Sequence, residues 1–179
     1  MELGSAAIGN IARMICGDTP YNFFPYRSSS YLTAFFEALN MDYVHDGSTR
    51  YWWVRSKLLE LNKDIESTDC IPSKSMIKVV EYLLHPDHFA APEDPKHAQA
   101  VQAINSVLKP YELEVVINPK TQIAKLVASD GIFISTAVKA IESIKKITFV
   151  PEVFNVPNVE EIDKTLEYVP EILIPIISS

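Results

Sequence analysis

The chain of 179 residues is short of the small and reactive residues around which many active sites are built. Its two cysteines, Cys16 and Cys70, form neither a CxxC pair nor a metal-ligand pattern, which excludes a zinc ribbon and a multi-bridge disulfide scaffold. They read as reduced, partly buried thiols, with one disulfide between them left open. Only five glycines are present, and none falls in a GxGxxG or P-loop arrangement, so no glycine-rich phosphate cradle is encoded. A GxSxG elbow, an HExxH helix and an RxxxxH nuclease-like spacing are also missing. No apolar run reaches the ~18 residues of a membrane span. Met1-Glu2-Leu3-Gly4-Ser5 carries no basic n-region, so a cytoplasmic protein without a signal peptide is expected.

Positive charge is scarce as well. The formal net charge of -7 argues against coating nucleic acid through bulk electrostatics. Much of the excess is local: from Thr148 onward six acids stand against the single base Lys164. All four arginines, Arg13, Arg27, Arg50 and Arg55, fall in the first 55 residues. A guanidinium presents a planar fork that suits carboxylate or phosphate, so this clustering is compatible with an anion site. Ordinary surface ion pairing is the competing account.

What is abundant is apolar residues at helical spacing. Hydrophobic residues make up 47% of the chain, and the first helix is expected from about Ala6 to Ile15, stopped by Gly17-Asp18. A segment with two prolines and four aromatics, Thr19 to Tyr26, cannot be regular helix and is expected to pack as a loop. Ser28 to Ser30 offer N-caps for a second helix to about Asn40, with Tyr31, Leu32, Phe35, Phe36 and Leu39 on its apolar face. Gly47 with Ser48 or Thr49 opens a third helix, Tyr51 to Asn62. Pro72-Ser73 opens a fourth, closed by His85-Pro86. A fifth carries Ala98, Val101, Ile104, Val107 and Leu108. Leu113 to Val127 then reads as a β-hairpin around Asn118-Pro119-Lys120-Thr121, and a sixth helix is expected over about Phe133 to Lys145. The resulting class is mainly α with a small β-hairpin (α+β). A multi-helix domain spans residues 1–147, with its hairpin at about 112–128, and an acidic, proline-rich linker or arm spans 148–179. A winged-helix arrangement, with the second and third helices as helix-turn-helix and the hairpin as wing, is compatible with this order.

Candidate chemistry is thin. His85, Asp87, His88, Asp94 and His97 are ligand-type side chains within 13 positions, but two prolines and a loop do not give the rigid frame a metal needs, so solvated histidines are expected. Neither a catalytic set nor a metal or cofactor site is assigned. The aromatics Tyr21, Phe23, Phe24, Tyr26, Tyr51, Trp52 and Trp53, interleaved with Arg27, Arg50 and Arg55, suit stacking on a nucleotide or single strand, or core packing. Trp52 and Trp53 cannot share one helical face, so at least one belongs in the core.

The run Pro25-Tyr26-Arg27-Ser28-Ser29-Ser30-Tyr31-Leu32-Thr33-Ala34-Phe35-Phe36, then Asp46-Gly47-Ser48-Thr49-Arg50-Tyr51-Trp52-Trp53-Val54 and Leu58-Leu59-Glu60-Leu61-Asn62, resembles the N-terminal domain of AbiJ-type abortive-infection proteins of bacteria. Leu84-His85-Pro86-Asp87-His88-Phe89 and the hairpin resemble its second half, so the resemblance covers about residues 15–128. It implies a helical module of anti-phage defence, usually placed ahead of an effector domain such as a TIR-like or HEPN-like RNase domain. Phe149 to Pro157 is similar to the lead-in to such an effector, which is then not found in this sequence. The expected function is therefore a non-catalytic sensor or adaptor. Arg27, Ser28, Ser48, Arg50, Trp53 and Arg55 are the ligand-binding candidates. Phe154, Ile172, Leu173 and Ile174 are the partner-binding candidates. The expected partners are an effector protein or domain, a nucleotide or nucleic-acid ligand, or a second copy of the chain, and no membrane. A winged-helix nucleic-acid regulator and a small toxin or RNase are the alternatives. On this reading Arg50→Ala weakens binding and leaves the melting temperature almost unchanged.

Overall fold

The computed structural model describes residues 1–63, 72–90 and 94–129. The expected sixth helix, the C-terminal arm and Cys70 lie outside the described residues.

Helix α1 (Ser5–Cys16) forms where the apolar spacing places it, burying Ile8, Ile11, Met14 and Ile15 along one face. It stops because Gly17 takes the left-handed conformation, φ 66°, which a side chain would disfavour. The Gly17 N–H donates to the Met14 carbonyl at 3.1 Å and the Asp18 N–H to the Arg13 carbonyl at 3.0 Å, a Schellman closure. The aromatic segment that follows packs as expected. Phe24 is buried, with Phe23 and Phe89 against its ring.

Helix α2 (Ser29–Glu37) starts after Ser28, but the Ser28 hydroxyl pairs with Ser30 Oγ at 3.0 Å and caps no amide. The helix is shorter than its apolar pattern, and Asn40 at φ 58° turns the chain away. Leu32, Phe35, Phe36 and Leu39 are buried, whereas Tyr31 is 67% exposed and does not belong to the core face. Residues 38–49 separate α2 from helix α3 (Arg50–Asn62). A helix-turn-helix joins its helices by ~3–4 residues, so this pair does not form that motif. Thr49 holds the N-cap position of α3 without a side-chain bond, and Gly47 supplies the positive φ, 83°, in the preceding turn.

Helix α3 packs on α1 and buries Trp53, Val54 and Leu58. Trp53 meets Phe36 edge-to-face at 5.6 Å, and Trp52, on the adjacent face, is 60% exposed. Asn62 closes the pairing: its Oδ1 accepts from the Leu3 N–H and its Nδ2 donates to the Leu3 carbonyl, both at 2.9 Å and buried.

Helix α4 (Lys74–Leu83) begins at Ser73, whose Oγ accepts from the Met76 N–H at 3.1 Å. A 3₁₀ turn, Pro86–His88, follows it. Helix α5 (Pro95–Leu108) is capped by Asp94, and its buried stripe is His97, Ala100, Ile104 and Leu108. Ala98, expected inward, is exposed, and the core face is rotated toward His97. Strands β1 (Leu113–Ile117) and β2 (Ala124–Ala128) pair antiparallel with Val115 opposite Leu126. The hairpin stands on α5 and α4, not beside α3. Side chains occupy backbone groups at both outer edges. Asn105 bonds the Val115 N–H and carbonyl, and Glu81 Oε1 accepts from the Leu126 N–H at 3.1 Å.

An added Cβ at Gly17 would lie 2.5 Å from the Pro25 carbonyl oxygen, in a backbone conformation that already resists side chains. Gly17→Ala is expected to cost about 2 kcal/mol or more of stability, seen as a lower urea midpoint with an unchanged m-value.

Candidate functional site: the cleft over Arg27

The C-terminus of α1 leaves four carbonyls without helical partners. The Gly17 and Asp18 amides take those of Arg13 and Met14. Arginines take the other two. Arg27 Nη1 donates to the Ile15 carbonyl at 2.9 Å and more weakly to the Pro25 carbonyl at 3.3 Å. Arg50 Nη1 donates to the Cys16 carbonyl at 3.1 Å and to the Arg27 carbonyl at 2.6 Å. Two cations thus sit where the helix dipole is negative.

The two arginines are otherwise used differently. Arg50 Nη2 reaches Asp18 Oδ1 at 2.6 Å, and its guanidinium covers the Tyr26 ring at 4.1 Å. Both of its terminal nitrogens are occupied in tying α3 to α1 and to the 25–27 segment. The binding role expected of Arg50 therefore gives way to that of a latch, and Arg50→Ala is no longer neutral for folding.

Arg27 is only 6% exposed, and no carboxylate pairs with it among the described residues. Its guanidinium lies 4.9 Å from the centre of the Phe35 ring, and Nη2 is buried without a hydrogen-bond partner. Nε likewise has none among the described residues. The side-on fork of Nε and Nη2, the pair of parallel donors that best fits two oxygens, is therefore unused among the described residues. Burial lowers the Arg27 pKa to about 10, so the group remains a cation at neutral pH.

Arg27 belongs to the wall of a cleft of about 330 Å³, with Tyr26, Tyr31, Phe35, Tyr82 and His88 as its aromatic lining and Asp87 at its edge. The α2 segment and the corner after α4 form its two sides. Phe35, Tyr82 and His88 are in mutual ring contact, with centroids 4.7–6.2 Å apart. Burial, and then the charge of Arg27, hold the His88 pKa down to about 4, so this imidazole is neutral at pH 7. Tyr82 and His88 lie more than fifty positions beyond Arg27 in the chain, and no local signal in the sequence links them to it.

The other expected site residues are not gathered here. Ser28 bonds Ser30. Ser48 donates its backbone N–H to Asp46 Oδ1 at 2.9 Å in an exposed turn. Trp53 is a core residue, 4.8 Å from the His45 ring and without surface to offer a ligand. Arg55 Nη2 bonds Ser5 Oγ at 2.6 Å, with its guanidinium 5.6 Å from the Trp52 ring. Phe154, Ile172, Leu173 and Ile174 lie outside the described residues.

The histidines expected to be solvated do other things. His97 is buried in α5 with Nε2 on the Leu84 carbonyl at 3.0 Å, and His85 Nδ1 accepts from the Asp87 N–H at 3.3 Å. Among the described residues no group of three His, Cys, Asp or Glu is placed to hold a metal ion, and no helix is long and apolar enough to cross a membrane. The Cys16 thiol is buried, its pKa pushed up to about 12 first by that burial and then by Asp18. No family model matches the chain, and no curated protein or solved structure shows significant similarity to it.

Two outcomes follow from this geometry. Arg50→Ala is expected to destabilise the fold by about 2–4 kcal/mol in urea unfolding, because it strips partners from the α1 terminus and from Asp18. His88 stays neutral in the fold down to about pH 4, but protonates near its ordinary value of 6.5 once unfolded. The unfolded chain therefore binds the extra proton first, and stability is expected to fall as pH drops from about 6.5 to about 4. His88→Gln should flatten that part of the urea-midpoint profile.

Proposed function

We propose that the chain is a non-catalytic sensor or adaptor module of a bacterial abortive-infection system, acting in the cytoplasm. It takes an anionic ligand in the cleft over Arg27 and passes the signal to an effector on a partner chain or domain. One observation carries the ligand half of this reading: a buried guanidinium whose side-on fork has no acceptor among the described residues, in the wall of an aromatic cleft. A charge held this far from water is normally paired, because desolvating it costs several kcal/mol. An acceptor supplied by a ligand completes the arrangement.

The non-catalytic half is supported by the way reactive side chains are spent. Among the described residues the Ser73 hydroxyl donates to the Leu61 carbonyl while capping α4. Ser28 pairs with Ser30, and the Cys16 thiol is held protonated. Neither hydroxyl nor thiol is hydrogen-bonded to a histidine, the pairing that activates such a nucleophile. The defence assignment rests on the similarity of residues 15–128 to AbiJ-type N-terminal domains.

Titration of the full chain with sodium acetate, followed by NMR, tests the ligand half. Acetate is expected to shift the Arg27 guanidinium and His88 ring resonances at constant ionic strength. Arg27→Lys keeps a cation and a donor for Ile15 but loses the fork, and should weaken acetate binding at least ~10-fold with the fold intact. Equal titration of both proteins would remove Arg27 from the site.

A further inference from the structure

The chemistry of the cleft is more selective than a bare anion site requires. One cation lies in its wall. His88 is neutral and adds no second charge, and the Asp87 side chain at the edge is 85% exposed and negative. His85, 6.2 Å from the His88 ring and 3.4 Å from Asp87 Oδ2, is the remaining titratable neighbour on that side. A dianion such as a phosphate monoester would leave one charge uncompensated next to Asp87, whereas a monoanion balances Arg27 alone.

The rest of the wall is largely aromatic. Tyr82 packs on the buried Phe35 ring with centroids 5.2 Å apart, and Tyr31 is 67% exposed. Tyr31 is absent from the core and makes no aromatic contact with Phe35 or Tyr82, so an exposed, unpartnered ring borders the cleft. Aromatic walls of this kind strengthen binding by roughly 2- to 12-fold per ring pair beyond simple area burial. The volume, about 330 Å³, falls in the lower part of the range for small-molecule pockets.

We infer that the cleft takes a small aromatic monoanion, its oxygens toward the unpaired edge of the Arg27 guanidinium and its ring against Tyr31 and Tyr82. This assignment rests on the anion reading above and adds to it the charge and the shape of the ligand. Two sources share the chemistry, an aromatic carboxylate and a phosphodiester bearing a ring. Methyl phenyl phosphate represents the second.

The full chain is titrated by NMR with benzoate, methyl phenyl phosphate, phenyl phosphate and acetate. Benzoate or methyl phenyl phosphate, whichever source is the right one, should bind at least ~10-fold tighter than acetate, the difference that one well-packed ring contributes. Phenyl phosphate, a dianion at pH 8, should bind more weakly than methyl phenyl phosphate. Tyr31→Ala, a substitution at an exposed position with little effect on folding, should reduce the preference for the ring-bearing anions over acetate at least ~3-fold. Arg27→Lys should abolish the preference. If acetate and both ring-bearing monoanions bind alike through Arg27, the ring assignment is overturned while the anion site stands. If phenyl phosphate binds best, the single-charge assignment is overturned. Binding by none of the four would overturn both the ligand class and the anion site beneath it.

Discussion

A helix leaves four carbonyls unpaired at its C-terminus, and the way α1 disposes of them organises this protein. Two are closed locally by the turn at Gly17, which only a residue tolerant of positive φ makes without strain. The other two are closed from a distance, by Arg27 and Arg50, so the loop after α1 and the start of α3 are pinned to one point. The requirement that buried carbonyls find donors thus connects three segments that are remote in sequence. The cleft exists because that connection holds residues 25–27 close to α2 and to the corner after α4.

The comparison between the two arginines shows how similar residues acquire different roles. Arg50 has a carboxylate, two carbonyls and a tyrosine ring, and both of its terminal nitrogens are engaged. Arg27 uses one terminal nitrogen for the same carbonyl anchoring and leaves its other edge without an acceptor. Such an arrangement is costly as a structural device, since a well-packed apolar residue would often serve stability as well. Its cost is intelligible where an acceptor arrives from outside, which is the basis for reading the cleft as a recognition site.

The unpaired edge of Arg27 belongs to a fixed part of the fold. Here the Arg27 anchor is shared with the α1 terminus, so occupation of the fork bears on the same guanidinium that holds Ile15. The neutral imidazole of His88 keeps the local field to a single charge, and the aromatic rings supply shape. The Ser28, Ser30 and Ser73 hydroxyls and the His85 and His97 rings are tied to backbone groups or to one another.

Local patterns in the chain were sufficient for the five described helices and the hairpin. The 3.6-residue spacing in α1 and α4, the Gly17 stop, the Ser73 cap and the change of period after Pro110 each act within a few residues, so they are legible without a partner. The same local reading placed Ala98 inward and Tyr31 in the core, because periodicity marks a stripe but not the side from which the neighbouring element arrives. It also grouped Arg27, Arg50, Trp53 and Arg55 as one binding set on proximity in sequence. Tertiary packing separated them into an unpaired guanidinium edge, a latch, a core residue and a surface pair, and brought Tyr82 and His88 to the first of these. Burial and hydrogen-bond supply are properties of the assembled chain, and they alone decide whether a guanidinium is spent or free.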